Sequence, residues 1–210
     1  MPKPSDELRA LFGEIDIYLF DQLLRGRLDA RRRVLDAGCG SGRNLPYLLT
    51  RGFEVFAIDA DPAAVAATRA LVARLAPALP PDNVRRGGLD ALPWGPASME
   101  IVLCSAVLHF ARDPAHFERM VEEMWRVLAP GGLFFARLAS SIGFEARLPV
   151  TTGRVRLPDG SDRFVVDEAL LIATTARLGG RLIDPLKTTV VHHQRAMTTW
   201  CLEKPAAAHG

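Results

Sequence analysis

The chain has 210 residues, of which 49% are hydrophobic and 24% are charged, and its 26 basic and 24 acidic residues give a net charge of +2. This composition is typical of one soluble globular domain and excludes disordered, collagen-like and small disulfide-stabilised proteins. The charge is too small to predict nucleic-acid binding, and no run approaches the roughly 18 apolar residues of a membrane span.

The first two thirds of the chain alternate short apolar runs with helical patterns. Five runs are typical of buried parallel strands, at 33–37, 54–58, 83–87, 100–104 and 133–138. Helices are expected between them at 44–51, 63–76 and 114–128. The pairs Asp61-Pro62 and Asp113-Pro114 predict the N-termini of the last two helices, because aspartate caps a helix and proline suits its first turn.

Residues 139–166 interrupt this alternation. They contain Asp159-Gly160, a strong signal for a tight turn, so we expect a hairpin there. Ligands of such folds bind at the carboxyl ends of the strands, and we expect this excursion to lie beside that edge. Asp167 then opens a further helix, which ends at Gly179-Gly180.

The order of elements predicts an α/β fold with a doubly wound, mostly parallel seven-stranded sheet. Residues 181–191 and 195–203 are expected to form an antiparallel hairpin at its edge, joined by a turn at His192-His193-Gln194. We expect one domain over residues 1–210, with residues 1–30 forming N-terminal cap helices.

Cysteine usage and the N-terminus predict a protein of a reducing compartment. Cys39, Cys104 and Cys201 are odd in number and have no metal-binding spacing, as is typical of cytoplasmic proteins. Asp6 and Glu7 lie where a signal peptide would be apolar. We therefore expect a cytoplasmic protein without a membrane span.

A glycine-rich loop follows the first predicted strand: residues 36–42 read Asp-Ala-Gly-Cys-Gly-Ser-Gly. Closely spaced glycines let a loop turn from strand to helix while a ligand lies against its backbone. Asp59 ends the next strand, at the position from which a carboxylate reaches ribose hydroxyls. The pattern predicts a site for a nucleotide-like ligand.

Two positions favour S-adenosylmethionine over NAD as that ligand. Arg43 stands where a dinucleotide-binding loop has its third glycine. Asp36 would repel a pyrophosphate but attract the ammonium and sulfonium groups of S-adenosylmethionine. An NAD(P)-dependent oxidoreductase and a non-catalytic S-adenosylmethionine-binding module remain the alternatives at this point.

From residue 32 to 138 the chain resembles the class I S-adenosylmethionine-dependent methyltransferases. The matching segments are 36–42, Leu92-Pro93-Trp94, Val107-Leu108-His109-Phe110 and 125–132, and Gly42-Arg43-Asn44 is similar, more distantly, to the tellurite-resistance type. The resemblance implies a Rossmann-like methyltransferase fold and S-adenosyl-L-methionine as cofactor. It implies ten cofactor-binding residues: Asp36, Gly38, Cys39, Gly40, Asn44, Asp59, Ala60, Leu89, Asp90 and Ser105.

Within this set the resemblance places Asp36 near the methionine part of the cofactor and Asp59 at its ribose. Family members often carry an acid for the adenine amino group four residues before the Leu-Pro pair, where this chain has Gly88. Leu89 is expected to serve adenine through its backbone amide. Asp90 lies two residues beyond the usual position of the acid.

Two residues are candidates for the substrate side, and no catalytic residue is assigned. His109 follows the fourth strand and could titrate near neutrality, and Tyr18 lies in an amphipathic N-terminal stretch that could close over the cofactor. For each of them, ordinary packing is the alternative. Four arginines could receive an anionic acceptor, although solvated surface is the preferred interpretation for Arg137, Arg147, Arg154 and Arg156.

The expected activity is methyl transfer to a small molecule, without a nucleic-acid or membrane partner. Residues 104–107 read Cys-Ser-Ala-Val, not the Asn/Asp-Pro-Pro-aromatic tetrad of nucleic-acid methyltransferases. His192 and His193 do not predict a metal site, because neighbours on a strand point to opposite faces.

Overall fold

The computed structural model describes residues 3–192 and 194–206. Its helices are α1 Pro4–Phe12, α2 Ile17–Leu24, α3 Pro46–Thr50, α4 Pro62–Leu75, α5 Pro114–Val127 and α6 Glu168–Arg177. Its strands are β1 Arg33–Ala37, β2 Glu54–Asp59, β3 Val84–Arg86, β4 Met99–Ser105, β5 Leu128–Ser140, β6 Gly153–Arg156, β7 Asp162–Val165, β8 Arg181–Leu182, β9 Lys187–Val191 and β10 Arg195–Glu203. In these residues no helix is both long and apolar enough to cross a membrane.

One eight-stranded sheet runs in the order β3-β2-β1-β4-β5-β10-β8, and β9 also pairs with β10. The strands from β3 to β5 are parallel, whereas β10 is antiparallel to β5, with Ala196 opposite Ser140 and Glu203 opposite Leu133. The predicted α/β, doubly wound fold class with antiparallel edge strands is confirmed.

The sheet has eight strands because the single strand expected at 181–191 is split into β8 and β9. Asp184 lies in the gap, where its carboxylate accepts hydrogen bonds from Arg27 at 2.7 Å and from Gln22 at 3.1 Å. Pro185 follows it and has no amide hydrogen to give to a sheet. The segment therefore leaves β10 to bind the N-terminal region.

The predicted helix starts are confirmed at three aspartates. Asp61, Asp113 and Asp167 accept hydrogen bonds from backbone amides of the first turn of α4, α5 and α6, at 2.7 to 2.9 Å. In contrast, β5 begins earlier than expected and runs through the glycines after Pro130. Gly131 and Gly132 continue the strand because they exchange backbone hydrogen bonds with Lys204, just beyond β10.

The inner strands of the sheet are buried on both faces, as parallel strands between helices must be, whereas β3, β8 and β9 at its edges are partly exposed. Phe134 and Phe135 are neighbours on β5 and lie in different hydrophobic clusters, since successive strand residues point to opposite faces. Phe134 packs with Trp200 and α5, whereas Phe135 shares its cluster with residues of α2, α3 and α4.

The excursion forms the predicted hairpin, a separate two-stranded sheet of β6 and β7. Its turn is closed by the Leu157 amide, which donates to the Ser161 carbonyl at 2.8 Å, and Gly160 has a φ of 81°. Phe164 of β7 is fully buried and stacks on Phe117 of α5 at 5.4 Å between ring centroids. This packing fixes the hairpin beside the carboxyl ends of β4 and β5.

Candidate active site

The carboxyl ends of β1, β2 and β4 open onto a cavity of about 610 Å³, here called the main cavity. Nine of the ten residues expected to bind the cofactor line it: Gly38, Cys39, Gly40, Asn44, Asp59, Ala60, Leu89, Asp90 and Ser105. The tenth, Asp36, is buried beneath the glycine loop and does not form part of the wall. Ten more residues for which the sequence predicted no binding role complete the wall: Ser41, Arg43, Gly87, Gly88, Ala106, Val107, Phe110, Arg112, His116 and Met120.

The backbone of the glycine loop adopts conformations that residues with side chains rarely adopt. Gly38 has a φ of 80°, and a Cβ atom there would lie 2.4 Å from Val107 Cγ2. Gly40 also has a positive φ, but a Cβ atom there would meet nothing within 4 Å. The loop therefore packs tightly against Val107 at its start and leaves open space over the backbone of Gly40.

Asp59, at the end of β2, lies beside this loop in the wall of the main cavity and is hydrogen-bonded to it. Its Oδ2 accepts a hydrogen bond from the Gly40 amide at 2.8 Å, and its Oδ1 accepts one from the Asp61 amide at 2.9 Å. Each carboxylate oxygen has room for a second donor. Asp59 can therefore hold the loop and accept hydrogen bonds from a diol at the same time.

Asp36 is a buried acid whose charge is poorly compensated. Burial raises its pKa to about 7; the positive charge of Arg43 opposes this shift and the negative charge of Asp59 adds to it. Its Oδ2 has no hydrogen-bond partner among the described residues. A cation bound near the loop would favour the ionised form, so the residues present here fit a cationic ligand better than a phosphate.

Asp90 occupies the space beside the glycine at the position where the resemblance expects an acid. A Cβ atom on Gly88 would lie 2.6 Å from Asp90 Oδ1. The other carboxylate oxygen lies 3.5 Å from His116 Nε2 and 3.8 Å from an Arg112 guanidinium nitrogen. The side chain of Asp90 therefore places a carboxylate beside position 88, two residues before its own position in the chain.

A second cavity, of about 250 Å³, shares one lining residue, Ala106, with the main cavity. Ala106 has a φ of 64°, a left-handed conformation that is unusual for alanine, and its amide donates to the Arg137 carbonyl at 2.7 Å. Such conformations cluster at functional sites. The other residues of this second cavity are His109, Arg137, Ala139, Leu157, Asp159, Ser161, Arg163, Val191, Arg195 and Met197.

His109 lies in the wall of the second cavity, but its expected titration near neutrality is wrong. Burial lowers its pKa to about 4, and the positive charges of Arg163, Arg137 and Arg195 lower it further. The sequence could not show this, because the arginines come from three distant strands. His109 is therefore neutral at physiological pH and is a weak base.

Tyr18 lines neither cavity, contrary to the expectation that it would close over the cofactor. Its hydroxyl is hydrogen-bonded to Thr189 of β9. Its ring packs under the Arg137 guanidinium, 5.1 Å from the ring centroid, and Lys187 lies at 5.6 Å. Tyr18 therefore packs against Arg137, a residue of the second cavity, without lining that cavity itself.

A buried carboxylate that was not predicted from the sequence joins the N-terminal segment to the site. Asp16 is 4% exposed, and its Oδ2 accepts a hydrogen bond from the Ser105 hydroxyl at 2.9 Å. Guanidinium nitrogens of Arg137 and Arg43 lie 3.4 and 3.6 Å from the same oxygen. Its amide donates to Asn44 Oδ1 at 3.0 Å. Its position as the N-cap of α2 is the one signal that could have found it.

The prediction that four arginines lie on the solvated surface is correct for three of them. Arg147, Arg154 and Arg156 are exposed and line neither cavity. It is wrong for Arg137, which is half-buried and lines the second cavity.

Neither thiol nor metal chemistry is prominent in the described part of the chain. Burial raises the pKa of Cys39 to about 12, so this loop residue is a neutral thiol. In residues 3–192 and 194–206, no group of three His, Cys, Asp or Glu side chains is arranged to hold a metal ion. His193 lies outside the described residues.

Comparison with known proteins identifies the central part of the chain. Residues 35–136 match the family model described as a methyltransferase domain. A probable S-adenosylmethionine-dependent methyltransferase of Mycolicibacterium smegmatis is 36% identical over 116 residues, which are 55% of this chain and 41% of that protein. The chain spans less than half the length of the first curated relatives it matches.

Solved structures share the fold at low sequence identity. A SAM-dependent methyltransferase of Methanosarcina mazei matches with a TM-score of 0.67 at 20% identity, over 88% of this chain and 98% of that one. The 1,6-didemethyltoxoflavin-N1-methyltransferase of Burkholderia thailandensis, solved with 1,6-didemethyltoxoflavin and S-adenosylhomocysteine, gives 0.62 at 20% identity, over 96% and 86%. At this identity the likeness establishes the fold alone.

Proposed function

We propose that this chain, which belongs to the class I S-adenosylmethionine-dependent methyltransferases, transfers a methyl group from that cofactor to a small-molecule acceptor. The observation that carries the proposal is that Ala106 lines both cavities, so the two lie on either side of one residue or beside it. The main cavity is lined by the glycine loop and Asp59, and the second cavity is lined by the β6–β7 hairpin and the edge strands. In this proposal, a cofactor in the first and an acceptor in the second are neighbours at Ala106.

The residues of the main cavity fit the three parts of the cofactor. In this proposal the backbone at Gly38 and Gly40 borders the methionine part, and the buried charge of Asp36 favours its cationic groups. Asp59 holds the ribose hydroxyls. Leu89 and Asp90 border the adenine, with Asp90 taking the role of the acid that is missing at position 88.

The bound cofactor supplies a methyl group that is already activated by a positively charged sulfur. The protein then has to align the acceptor and exclude water, and a base is needed only for an acceptor that must lose a proton. His109, with its pKa lowered to about 4, is poorly suited to remove one. We infer that His109 positions the acceptor through a hydrogen bond.

The size of the second cavity favours a metabolite over a macromolecule. At about 250 Å³, and covered by the β6–β7 hairpin, it has room for a small acceptor. Transfer of labelled methyl groups to a fractionated cell extract tests this. We expect label in the small-molecule fraction. Label that enters only protein or RNA would contradict the small-molecule acceptor while leaving methyl transfer intact.

The structure argues against one of the two alternatives, and the labelling experiment tests the other. An NAD(P)-dependent oxidoreductase is disfavoured because Arg43, at the position of the third glycine, projects into the site and donates to the Ser105 hydroxyl at 2.7 Å. A non-catalytic binding module would bind S-adenosylmethionine but transfer no label to any fraction.

A further inference from the structure

Three arginines on separate strands line the second cavity: Arg137 on β5, Arg163 on β7 and Arg195 on β10. One carboxylate, Asp159, also lines it, and lies 3.6 Å from an Arg195 nitrogen. Within the described part of the chain, no carboxylate comes within 4.0 Å of the Arg163 guanidinium, although Arg163 is half-buried. The cavity thus carries an excess of positive charge.

Two polar atoms of this cavity lack a protein partner. His109 is 6% exposed, and its Nδ1 has no hydrogen-bond partner in residues 3–192 and 194–206. The Nε atom of Arg137 is also buried without one. Buried polar groups are nearly always satisfied, and leaving one unpaired costs roughly 1–3 kcal/mol. Both residues line this cavity, so the protein itself leaves the polar groups of its wall incompletely satisfied.

Apart from Ser161, the rest of the wall is apolar. Ala139, Leu157 and Met197 are buried hydrophobic residues that form one cluster. A ligand that matches both halves of the wall has a short hydrocarbon skeleton and a negative charge. Arginine suits a carboxylate because its planar fork can donate two parallel hydrogen bonds to the two oxygens.

We propose that the second cavity holds the methyl acceptor by a carboxylate group, so that the acceptor is a small carboxylic acid bound by Arg163 and Arg137. This inference rests on the proposed function, because it takes the ligand of this cavity to be the acceptor. Ala106 places that ligand next to the main cavity, and Tyr18 and Asp16 hold Arg137 in the wall from the other side.

Calorimetry with matched acids and amides tests the proposal. The protein is saturated with S-adenosylhomocysteine and titrated with malonate, tricarballylate and benzoate, and with the amide of each. We expect at least one acid to bind tenfold or more tightly than its amide. Arg163→Gln should weaken the binding of that acid at least tenfold. Arg156→Gln removes an equal charge from an exposed position of the same hairpin and should leave it unchanged.

Three results would overturn the inference: no acid binds, acids and amides bind equally, or Arg163→Gln binds the acid as the unmodified protein does. Tighter binding of phosphate esters than of acids would also contradict the assigned class. Arg137→Gln serves as a second variant if Arg163→Gln does not fold. Loss of S-adenosylhomocysteine binding itself would instead contradict the proposed function, so the two failures are distinguishable.

Discussion

The backbone amide of Gly40 donates a hydrogen bond to Oδ2 of Asp59 at 2.8 Å, which ties the glycine loop to the end of the neighbouring strand. The two features that best predicted the site from sequence are therefore one structural unit. A ligand that bonds to Asp59 would also stabilise the loop conformation through this contact.

Asp59→Ala should weaken cofactor binding. Loss of charge-assisted hydrogen bonds to the ribose, together with the loop contact, is expected to cost about 1.5–3 kcal/mol of binding free energy. Calorimetric titration with S-adenosylhomocysteine measures this. Asp61→Ala is the matched control: it removes the cap of α4, at a cost of about 1 kcal/mol in stability, and should leave the dissociation constant unchanged. An unchanged affinity in folded Asp59→Ala would refute the assignment of the ribose.

Asp90→Ala should weaken binding of S-adenosylhomocysteine about tenfold, the effect of one lost charge-assisted hydrogen bond. It should not change binding of S-inosylhomocysteine, which lacks the adenine amino group. Asp82→Ala, at an exposed position outside the main cavity, is the control.

The double variant Gly88→Asp with Asp90→Ala probes the same relationship in reverse. Gly88 does not have a positive φ, and the Asp90 side chain that a residue at 88 would meet has been removed. We expect the double variant to recover most of the lost affinity. Equal losses for the adenosine and inosine compounds in Asp90→Ala would show that Asp90 does not bind the amino group.

Cofactor affinity should rise with pH. Burial raises the pKa of Asp36 to about 7 in the free protein, whereas a cation nearby favours the ionised form, so binding releases a proton. Affinity for S-adenosylhomocysteine should increase roughly tenfold from pH 6 to pH 8. In Asp36→Asn this dependence should be absent, and an identical pH profile in that variant would contradict the role of Asp36.

The same raised pKa predicts how the stability of the free protein depends on pH. Between about pH 4 and 7 the folded state holds a proton on Asp36 that the unfolded chain has released, so this group makes stability fall as pH rises. Urea denaturation at several pH values measures the trend. In Asp36→Asn, the free energy of unfolding should fall less between pH 4 and 7 than it does in the unmodified protein.

Asp16→Ala should destabilise the fold by about 3 kcal/mol, because it leaves the Arg43 and Arg137 guanidinium groups without their shared buried carboxylate. Asp21→Ala, on the same N-terminal segment, breaks a partly exposed pair with Arg25 and should cost about 1 kcal/mol or less. Urea denaturation compares the two. Equal effects would mean that Asp16 is not the residue that anchors the segment.

The features that could be predicted are those determined by residues close together in the sequence. Strands and helices followed from apolar periodicity, and the helix starts at Asp61, Asp113 and Asp167 followed from local capping chemistry. The family and its cofactor could be predicted because residues 36–42 and Asp59 carry most of the pattern within one βαβ unit.

Features that depend on distant contacts were missed. The split between β8 and β9 arises because Asp184 binds Arg27, which lies 157 residues earlier. The low pKa of His109 requires burial and arginines from three other strands. Asp16 acquires its partners only when the N-terminal segment folds against the ends of β4 and β5. No local pattern distinguishes these residues from ordinary surface residues.

Calorimetric titration of the purified protein with S-adenosylhomocysteine and, separately, with NADH shows which cofactor the main cavity binds. We expect a saturable heat of binding for S-adenosylhomocysteine that is weakened by Asp59→Ala, and none for NADH. Saturable binding of NADH, with no heat from S-adenosylhomocysteine, would contradict this expectation.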